Sequence, residues 1–336
     1  AWADLVIVAP LSASSRSRWV HGEGEGLLAS LLLACECPVL AAGAMNTAMW
    51  QHPAVQRNWL TLHGDPRVLP LAPEAGLLAC DRVGTGRMAA PECLVLAAAS
   101  MFLQADKQGR LRCDWRGKRV LISAGPTQEP LDSVRLISNR SSGRMGVLLA
   151  QAARFRGAYV DLVHGPLKVP EAWLEGLNCL PAFSSAAMEL CLLEHQPRAD
   201  AVLMCAAVAD LRRKRLEDSS KLPKGELMKT IAEGWEQVPD LLQLLRSRRP
   251  ARQRLLGFAA LAGDDKTLLQ RGYEKYQAKG CDLLMVNPID RPNQGLDCDL
   301  NGGWLIGPGE RQEEMPAMHK FALAHDLLDR LSQLGD

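Results

Sequence analysis

The feature that most constrains this fold is a series of short apolar runs separated by segments with helical spacing. The candidate strands are DLVIVAP, CPVLAAG, RVLPLAP, KRVLISAG, YVDLVHG, AVLMCAAVA, RLLGFAA and DLLMVNP. The candidate helices are 26–34, 91–104, 144–156, 184–195, 266–279 and 317–334. Because the runs are apolar throughout, we expect strands that are covered on both faces. The pattern predicts an α/β fold with two open, doubly wound, mostly parallel sheets.

One polar stretch interrupts this alternation. The segment LQADKQGRLRCDWRGK, residues 103–118, has no sustained period. We therefore place a first domain at 1–105, a linker at 106–116 and a second domain at 117–336, since 336 residues are enough for two cores. The first domain is small for an open sheet, so we expect it to be part of a larger domain.

Charge and composition exclude several classes of partner. The net charge of +1 gives no reason to expect nucleic-acid or membrane binding. The longest apolar stretch, GLLASLLLA, falls short of the roughly 20 residues that span a bilayer. Ten cysteines are scattered without a paired CxxC, which favours a reducing cytoplasm over a disulfide framework or a zinc–thiolate site.

The segment SNRSSGRMG, residues 138–146, lies between a predicted strand and a predicted helix. Ser141, Ser142 and Gly143 would begin the helix, where unpaired backbone N–H groups and the helix dipole favour an anion. Arg135 and Asn139 add a forked cation and an amide, so a phosphate is the expected guest. The alternative is ordinary serine capping beside solvated arginines.

Three further positions have both a functional and an ordinary interpretation. Asp210 ends an apolar strand and could bind Mg²⁺ on a triphosphate, or simply cap a helix. Lys221 and Lys224 lie in a polar loop, where lysines are usually solvated. Lys275 and Lys279 are four residues apart on one helix, and they repel each other unless they share an anion. These residues predict a nucleotide-binding α/β protein.

The longer motifs add a family resemblance. GKRVLISAGPTQEPLDSVRLISNRSSGRMG, AAVAD, GFAA and a Lys-x-x-x-Lys helix followed by CDLLMVN resemble the phosphopantothenate–cysteine ligase domain of the bifunctional coenzyme A biosynthesis flavoprotein. The resemblance covers residues 117–336 with its motifs in order. It implies that CTP activates 4′-phosphopantothenate as an acyl-cytidylate, which the amine of cysteine then converts to an amide.

The resemblance also implies roles for individual residues. Asn139 would act on the acyl-cytidylate with Arg135 beside it, Lys221 would be the catalytic lysine, and Asp210 would bind the CTP–Mg²⁺ complex. The phosphate loop would consist of Ser141, Ser142, Gly143 and Gly146. The other nucleotide-binding positions would be Met204, Cys205, Ala206, Val238, Pro239, Asp240, Leu241, Phe258, Lys275 and Lys279.

Residues 1–105 resemble the decarboxylase half of the same enzyme through WADLVIVAPLSAS, AGAMNTAMWQHPAVQRN and LLACDRVGTGRMAAPE. The resemblance implies a homo-oligomeric flavoprotein that uses FMN to decarboxylate 4′-phosphopantothenoylcysteine. Ser12, Ala13 and Ser14 would contact the flavin. Asn46 would bind substrate, and Cys80 would be the catalytic acid on a flap. Without the resemblance, Cys80 would be interpreted as a core thiol.

Departures from the family pattern limit these expectations. In the second domain, KLPK has Pro223 where the family has a lysine, and GFAALA has Leu261 where the family has an acid. In the first domain, the family's FMN phosphate loop and catalytic histidine have no counterpart in this sequence. We therefore expect poor FMN binding and poor decarboxylation from these residues. One alternative is a ligase whose flavoprotein half serves only as an oligomerisation scaffold. A nicotinamide dehydrogenase is disfavoured, because neither SAGPTQ nor APLSAS matches G-x-G-x-x-G.

Overall fold

The structure is a computed structural model that describes residues 2–77, 83–213, 221–295, 298–309 and 311–334. The chain divides into two compact units. The first consists of Ala1–Asp114 with Pro170–Glu175, and the second consists of Trp115–Val169 with Gly176–Asp336. Most of the predicted linker packs within the first unit, where Leu111 is buried and donates its N–H to Pro66 O at 2.7 Å.

The first unit contains a three-stranded parallel sheet in the order β1-β2-β3 and an antiparallel hairpin of β4 and β5. Its elements are β1 (Val6–Leu11), α1 (Ala13–His21), α2 (Leu27–Ala34), β2 (Val39–Gly43), α3 (Thr47–Gln51), α4 (Pro53–Gly64), β3 (Val68–Leu71), β4 (Glu74–Leu77), β5 (Val83–Arg87) and α5 (Pro91–Gln104). The core between sheet and helices is formed by residues such as Leu11, Leu32 and Trp59.

The second unit is built on an eight-stranded sheet with the order β10-β9-β6-β11-β14-β15-β16-β17. Its strands are β6 (Arg119–Ala124), β7 (Gln128–Pro130), β8 (Leu136–Ser138), β9 (Tyr159–His164), β10 (Asn178–Pro181), β11 (Ala201–Met204), β12 (Leu211–Arg213), β13 (Trp235–Gln237), β14 (Arg254–Leu261), β15 (Leu283–Pro288), β16 (Leu300–Gly307) and β17 (Arg311–His319). Neighbouring strands from β10 to β15 are parallel, whereas β16 and β17 extend the sheet by antiparallel pairing.

The helices of the second unit cover both faces of this sheet. They are α6 (Arg144–Phe155), α7 (Ser185–His195), α8 (Lys224–Ala232), α9 (Leu241–Arg248), α10 (Asp265–Lys279) and α11 (Lys320–Ser332). The second unit also has a short 3-10 turn at Gln196–Arg198, and the first unit has one at Glu171–Leu174. Helices α6 and α11 pack together on one face, and α7, α9 and α10 pack on the other. The predicted fold class is confirmed.

All eight predicted strands are present, although AVLMCAAVA is a strand only over Ala201–Met204. The predicted helix at 317–334 begins instead at Lys320, because 317–319 complete β17. Strands β16 and β17 were missed. In the part of the chain that the structure describes, no helix is both long and apolar enough to span a bilayer.

Candidate functional site

A cavity of about 680 Å³ opens at the carboxyl edge of the large sheet. Its walls come from the loop that begins α6, the loop after β11, the segment before α9, the end of β14, and the region around the ends of β15 and β17. The lining residues are Asn139 to Gly146, Met204 to Asp210, Gln237 to Leu242, Phe258 to Ala260, Lys275, Lys279, Asn287, Ile289, Gly295, Asn301 and Lys320.

The cavity collects most of the residues that the sequence singled out in this unit. They are Asn139, Ser141, Ser142, Gly143, Gly146, Met204, Cys205, Ala206, Asp210, Val238, Pro239, Asp240, Leu241, Phe258, Lys275 and Lys279. Arg135 and Lys221, both described by the structure, are not among its lining residues. The lining carries five basic side chains and two acidic ones, a balance that favours a polyanionic ligand.

Glycines bring the start of α6 close to the sheet. Gly143 caps the helix with φ +74°, and a Cβ there would lie 2.3 Å from a Leu167 methyl group. A Cβ on Gly146 would lie 2.6 Å from Ala124 Cβ, so the first turn of α6 packs directly on β6. The first residues of the helix, Arg144 to Gly146, therefore line the cavity close to the strand ends, as an anion site requires.

Hydroxyl groups tie the end of β6 and the loop after it to the loop after β11. Ser123 Oγ accepts the N–H groups of Cys205 at 3.1 Å and Ala206 at 3.0 Å. Thr127 Oγ1 accepts the N–H of Ala209 at 2.9 Å. These bonds end β11 at Met204 and leave residues 205–209 as a fixed wall of the cavity. Neither Ser123 nor Thr127 was predicted to be a functional residue.

Asn139, in the segment before α6, is also hydrogen-bonded to the loop after β11. Its Nδ2 donates to the carbonyl oxygens of Ala207 at 3.2 Å and Val208 at 3.1 Å. Asp210 is exposed, and its own carbonyl accepts the N–H of Val238 at 2.9 Å, which links this wall to the segment before α9. Burial raises the pKa of the Cys205 thiol to about 12, so Cys205 is a neutral wall residue rather than a nucleophile.

The opposite side of the cavity combines an aromatic ring with lysines. Phe258 is half-buried on β14, and Lys275 and Lys279 project from α10. Lys279 forms an ion pair with Asp240 at 3.2 Å. Asp240 also caps α9 by accepting the N–H groups of Leu242 and Gln243. This pairing offsets part of the repulsion expected between Lys275 and Lys279.

Arg135, which was predicted beside Asn139, is not among the residues that line the cavity. Its guanidinium pairs with Asp132, whose side chain is 1% exposed, and donates to Leu222 O at 2.8 Å. Asp132 in turn accepts the N–H of Leu222 at 3.2 Å. The hydrogen bond from Arg135 is the main cause that holds the pKa of Asp132 well below its usual range. The pair therefore fixes the backbone directly after Lys221.

Lys320, Asn287 and Asn301 are among the lining residues that were not predicted from the sequence, as are Arg140 and Arg144. Lys320 begins α11 and is 2% exposed, with Nζ donating to Gly295 O at 2.8 Å. Asn287 is also buried, and its Nδ2 donates to Asn301 Oδ1 at 3.0 Å. Lys320 follows β17, whereas Asn287 lies near the end of β15 and Asn301 near the start of β16. No local motif surrounds them, and their only sequence signal is a polar residue at the end of a strand or at the start of a strand or helix.

The first unit places its candidate residues at the carboxyl ends of β1 and β2. Ser12 caps α1 by accepting the N–H of Ser15, its Oγ lies 3.3 Å from that of Ser14, and Ala13 is the first residue of the helix. Asn46 caps α3 by accepting the N–H of Ala48 at 2.9 Å. Hydroxyl, amide and helix-terminus groups of this kind can hold a polar cofactor.

The hairpin of β4 and β5 lies against the Asn46 loop. Met45 donates its N–H to Gly86 O at 3.0 Å, and a Cβ on Gly84 would lie 2.4 Å from Thr47 Oγ1. Cys80, the predicted catalytic acid, falls between the two strands in sequence and lies outside the described residues.

Arg16 is an unexpected charge in the core of the first unit. It is 0% exposed and lies over the rings of Trp50 and Trp59 at 5.7 and 5.4 Å. Its Nη2 approaches Met45 Sδ at 3.8 Å, whereas Nε and Nη1 have no hydrogen-bond partner in the described structure. Burial lowers the pKa of Arg16.

An α/β sheet with a helix terminus, lysines and an aromatic ring around one edge cavity offers the groups that an anionic ligand requires, at the sheet edge where open α/β proteins bind ligands. The chain belongs to the DNA/pantothenate metabolism flavoprotein family: residues 115–334 match the model of its C-terminal domain, and residues 1–102 match the Flavoprotein model. The resemblance inferred from the motifs is confirmed.

Comparisons with individual proteins agree with this membership. The chain is 34% identical over 335 residues to the coenzyme A biosynthesis bifunctional protein CoaBC of Bacillus subtilis, covering 99% of this chain and 79% of that protein. It is 32% identical over 334 residues to a cysteine/cysteine sulfinic acid decarboxylase from an unknown prokaryotic organism, covering 99% of this chain and 90% of that protein. The solved C-terminal domain of a CoaBC protein aligns with a TM-score of 0.53 and 27% identity, over 66% of this chain and 97% of that domain.

Proposed function

We propose that the second unit joins 4′-phosphopantothenate to cysteine at the expense of CTP. In the first step a carboxylate oxygen of the acyl substrate attacks the α-phosphorus of CTP, the bond to the bridging oxygen breaks, and pyrophosphate leaves. In the second step the cysteine nitrogen attacks the acyl carbon, loses a proton and displaces CMP. The products are the amide, CMP and pyrophosphate.

The observation that carries this proposal is the single cavity that gathers the α6 terminus, Asp210, Phe258, Lys275 and Lys279. Attack at the α-phosphorus builds up negative charge on phosphate oxygens. Fixed cations and backbone N–H groups that point at that charge stabilise the transition state. The five basic lining residues supply such an environment for the two phosphorylated substrates together.

The rigid walls support specific roles for these side chains. Asn139 bridges two loops through both of its amide N–H groups, so its side chain is held at a fixed distance from the α6 terminus, beside the place where the acyl-cytidylate would form. Phe258 offers a face for the base, and Lys275 and Lys279 offer charge for phosphates. Lys221, whose neighbouring peptide is fixed by Arg135 and Asp132, would add a mobile charge from outside the cavity walls.

Mg²⁺ is implied by the family resemblance, and the residues present fit it. Of the described residues that line the cavity, only Asp210 and Asp240 are acidic, and Asp240 is paired with Lys279. No group of three His, Cys, Asp or Glu side chains within the described ranges could hold a metal. This donor set suits a cation that is held mainly by nucleotide phosphates, with Asp210 as its protein ligand. Bound there, Mg²⁺ would neutralise phosphate charge.

The test is a drop-out assay of nucleotide products. We expect release of CMP only when 4′-phosphopantothenate, cysteine, CTP and Mg²⁺ are all present, together with pyrophosphate. When cysteine alone is omitted, we expect CMP to be transferred to the acyl substrate. Asp210→Asn should lower the rate strongly, whereas Glu314→Gln, an exposed acid outside the cavity, should not. Release of CDP and inorganic phosphate, or no nucleotide cleavage at all, would contradict the proposed reaction. ATP in place of CTP measures base selectivity.

For the first unit we infer FMN-dependent decarboxylation of 4′-phosphopantothenoylcysteine. Ser12, Ala13 and Ser14 would hold the flavin, Asn46 would bind substrate, and Cys80 would supply a proton. When bound, FMN would provide reversible two-electron oxidation. The hydroxyl-rich α1 terminus and the contact of β5 with the Asn46 loop support this inference.

Flavin titration separates this inference from the scaffold alternative. We expect the chain to bind FMN weakly, as the departures from the family pattern predict, and Ser14→Ala to bind it more weakly still, with Ser17→Ala on the same helix as the control. Ligation without any flavin binding or loss of CO₂ would instead favour a flavoprotein half that only holds copies together. The relative that acts on cysteine or cysteine sulfinate makes those two compounds useful comparison substrates.

We also infer that the chain forms homo-oligomers. Helix α2 supports this, because its leucines are exposed on several sides and Leu27 is 85% exposed. Light scattering of the purified chain would give a mass that is a multiple of 36.7 kDa if the inference holds, and the monomer mass if it does not.

A further inference from the structure

The segment that joins β11 to β12 forms one wall of the cavity in the second unit. Residues 205–210 line the cavity and belong to neither strand. Ordering the backbone of such a segment costs conformational entropy, so bonds from other parts of the fold must hold it in one conformation. Asp210 is its last residue and is exposed, so the place of its carboxylate depends on the bonds that hold the backbone on either side.

Two hydrogen bonds enclose Asp210. Thr127 Oγ1 accepts the N–H of Ala209 at 2.9 Å, and Asp210 O accepts the N–H of Val238 at 2.9 Å. Directly after Asp210 the chain enters β12, which is paired with β13. Because the backbone is held on both sides, the direction of the Asp210 Cα–Cβ bond is fixed, and with it the point from which the carboxylate extends.

Other groups hold the earlier part of the segment. Ser123 Oγ accepts the N–H groups of the two residues that follow β11. Asn139 donates to the carbonyl oxygens of residues 207 and 208. The hydroxyl of Thr127 therefore acts at the end of the segment that carries Asp210, whereas the part nearer to β11 is held independently of it.

Thr127 is suited to this task because its own backbone is fixed. The residue is fully buried, its N–H donates to Ala207 O at 3.2 Å, and its carbonyl accepts the Ser138 hydroxyl at 2.8 Å. A β-branched side chain on a fixed backbone has few rotamers, so Oγ1 is held at the Ala209 N–H. The hydroxyl can be removed without loss of the bonds that hold the Thr127 backbone.

We propose that Thr127 is a positioning residue for Asp210: its hydroxyl holds the backbone before Asp210 so that the carboxylate can bind Mg²⁺ on the nucleotide. The inference rests on the proposed function, in which Asp210 is the protein ligand of that ion. Thr127 is not a lining residue of the cavity, so it acts through Asp210 rather than on the substrates. Loss of a group that orients a metal ligand typically lowers metal affinity about 10- to 100-fold.

The test compares variants that separate the hydroxyl of Thr127 from its shape. Thr127→Val keeps the branched shape without the hydroxyl, and Thr127→Ser keeps the hydroxyl. Thr127→Ala is a second variant without the hydroxyl, and it leaves room beside the Ala209 N–H. Ser184→Ala is the control, because Ser184 Oγ also accepts a backbone N–H, that of Ala187 at 3.1 Å, and Ser184 is not a lining residue of the cavity. Thermal unfolding of each variant checks the fold.

Two measurements are made on the full chain: hydrogen exchange without ligand, and calorimetric titration with CTP in the presence and absence of Mg²⁺. We expect Thr127→Val and Thr127→Ala to speed exchange at Ala209 and to weaken CTP binding about 10- to 100-fold only when Mg²⁺ is present. Thr127→Ser and Ser184→Ala should match the wild type in both measurements. In an Asp210→Asn chain, Thr127→Val should have no further effect on Mg²⁺-dependent binding, because it acts through that carboxylate.

Four results would overturn the inference. Equal weakening of CTP binding with and without Mg²⁺ would show that Thr127 supports the whole wall rather than Asp210. The same loss in Thr127→Ser would assign the effect to shape. The other two results are wild-type binding of CTP with Mg²⁺ by Thr127→Val, and a loss that adds to that of Asp210→Asn.

These outcomes are separable from those of the proposed function. A chain that binds CTP with Mg²⁺ through Thr127 and Asp210 but releases no CMP would refute the ligation proposal and leave this inference standing. A chain that ligates normally while Thr127→Val binds CTP with Mg²⁺ as the wild type does would do the reverse. A wild-type chain that binds no CTP overturns both.

Discussion

Substitution of Gly146 by alanine tests the close packing of α6 on the sheet. The added Cβ would lie 2.6 Å from Ala124 Cβ and 2.9 Å from Ser123 O. Carbon atoms normally approach to about 3.5 Å, so the helix must shift by roughly 0.9 Å. Helix α6 cannot retreat freely, because its own residues Val147, Leu148 and Leu149 are fully buried.

The magnitude follows from two opposing effects. Overpacking against atoms that cannot rotate away costs about 3 kcal/mol, at the upper end of the usual range. Alanine gains about 1 kcal/mol over glycine in a helix interior. We therefore expect Gly146→Ala to lower the free energy of unfolding by about 2 kcal/mol and to weaken binding of both phosphorylated substrates, since the shift moves the N–H groups that face them.

Gly225 provides the matched control. It also lies in a helix, α8, but nothing is within 4 Å of its hypothetical Cβ. Gly225→Ala should keep or raise stability by up to about 1 kcal/mol. Urea unfolding followed by circular dichroism gives the free energies, and hydrogen exchange of residues 144–155 localises the effect. A Gly146→Ala protein as stable as Gly225→Ala would refute the packing argument.

Three further predictions use other parts of the chain. Lys221→Ala should lower CMP release by orders of magnitude with the fold intact, whereas Lys229→Ala on α8 should not; a wild-type rate for Lys221→Ala removes Lys221 from the mechanism. Asp132→Asn should lower stability at neutral pH, because the ionised carboxylate holds Arg135 and the Leu222 backbone. Because the pKa of Asp132 is depressed in the folded state, its contribution to the free energy of unfolding is complete above about pH 4 and declines as pH falls further. The difference in the free energy of unfolding between the wild type and Asp132→Asn, measured by denaturation, should therefore shrink as pH falls. A difference that stays constant with pH would contradict this. Arg16→Met should leave the free energy of unfolding unchanged or raise it by up to about 2 kcal/mol, since two guanidinium nitrogens have no hydrogen-bond partner in the described structure; a large loss would show that the charge has an anionic partner.

The sheets were predictable wherever strands are buried on both faces. Strands such as β11 and β15 are buried at every position, which is what a continuous apolar run reports. Strand β17 was missed because it is an edge strand with no apolar run: only Met315 is buried in it, and Pro316 follows directly. Proline is tolerated in a strand at the edge of a sheet. Strand β16 was missed because Gly302 and Gly303 break its apolar pattern.

The candidate site was predictable where its residues lie in contiguous motifs. The loop at 139–146 and the Lys275–Lys279 pair were predicted from the local spacing of their residues. Lys320 could not be found in this way, because a lysine at the start of a helix is ordinarily solvated and its burial depends on the packing of α6 against α11. The hydrogen bond from Arg135 to Leu222 O joins residues 87 apart in sequence, so no local motif could predict it.

The most direct test of the central claim is hydrogen exchange of the full chain with and without CTP and Mg²⁺. Because the claim is that one cavity holds the nucleotide, we expect slowed exchange together in residues 139–146, 204–210, 237–242 and 258–260. Protection of another surface, or no change in these four segments at saturating CTP, would contradict it.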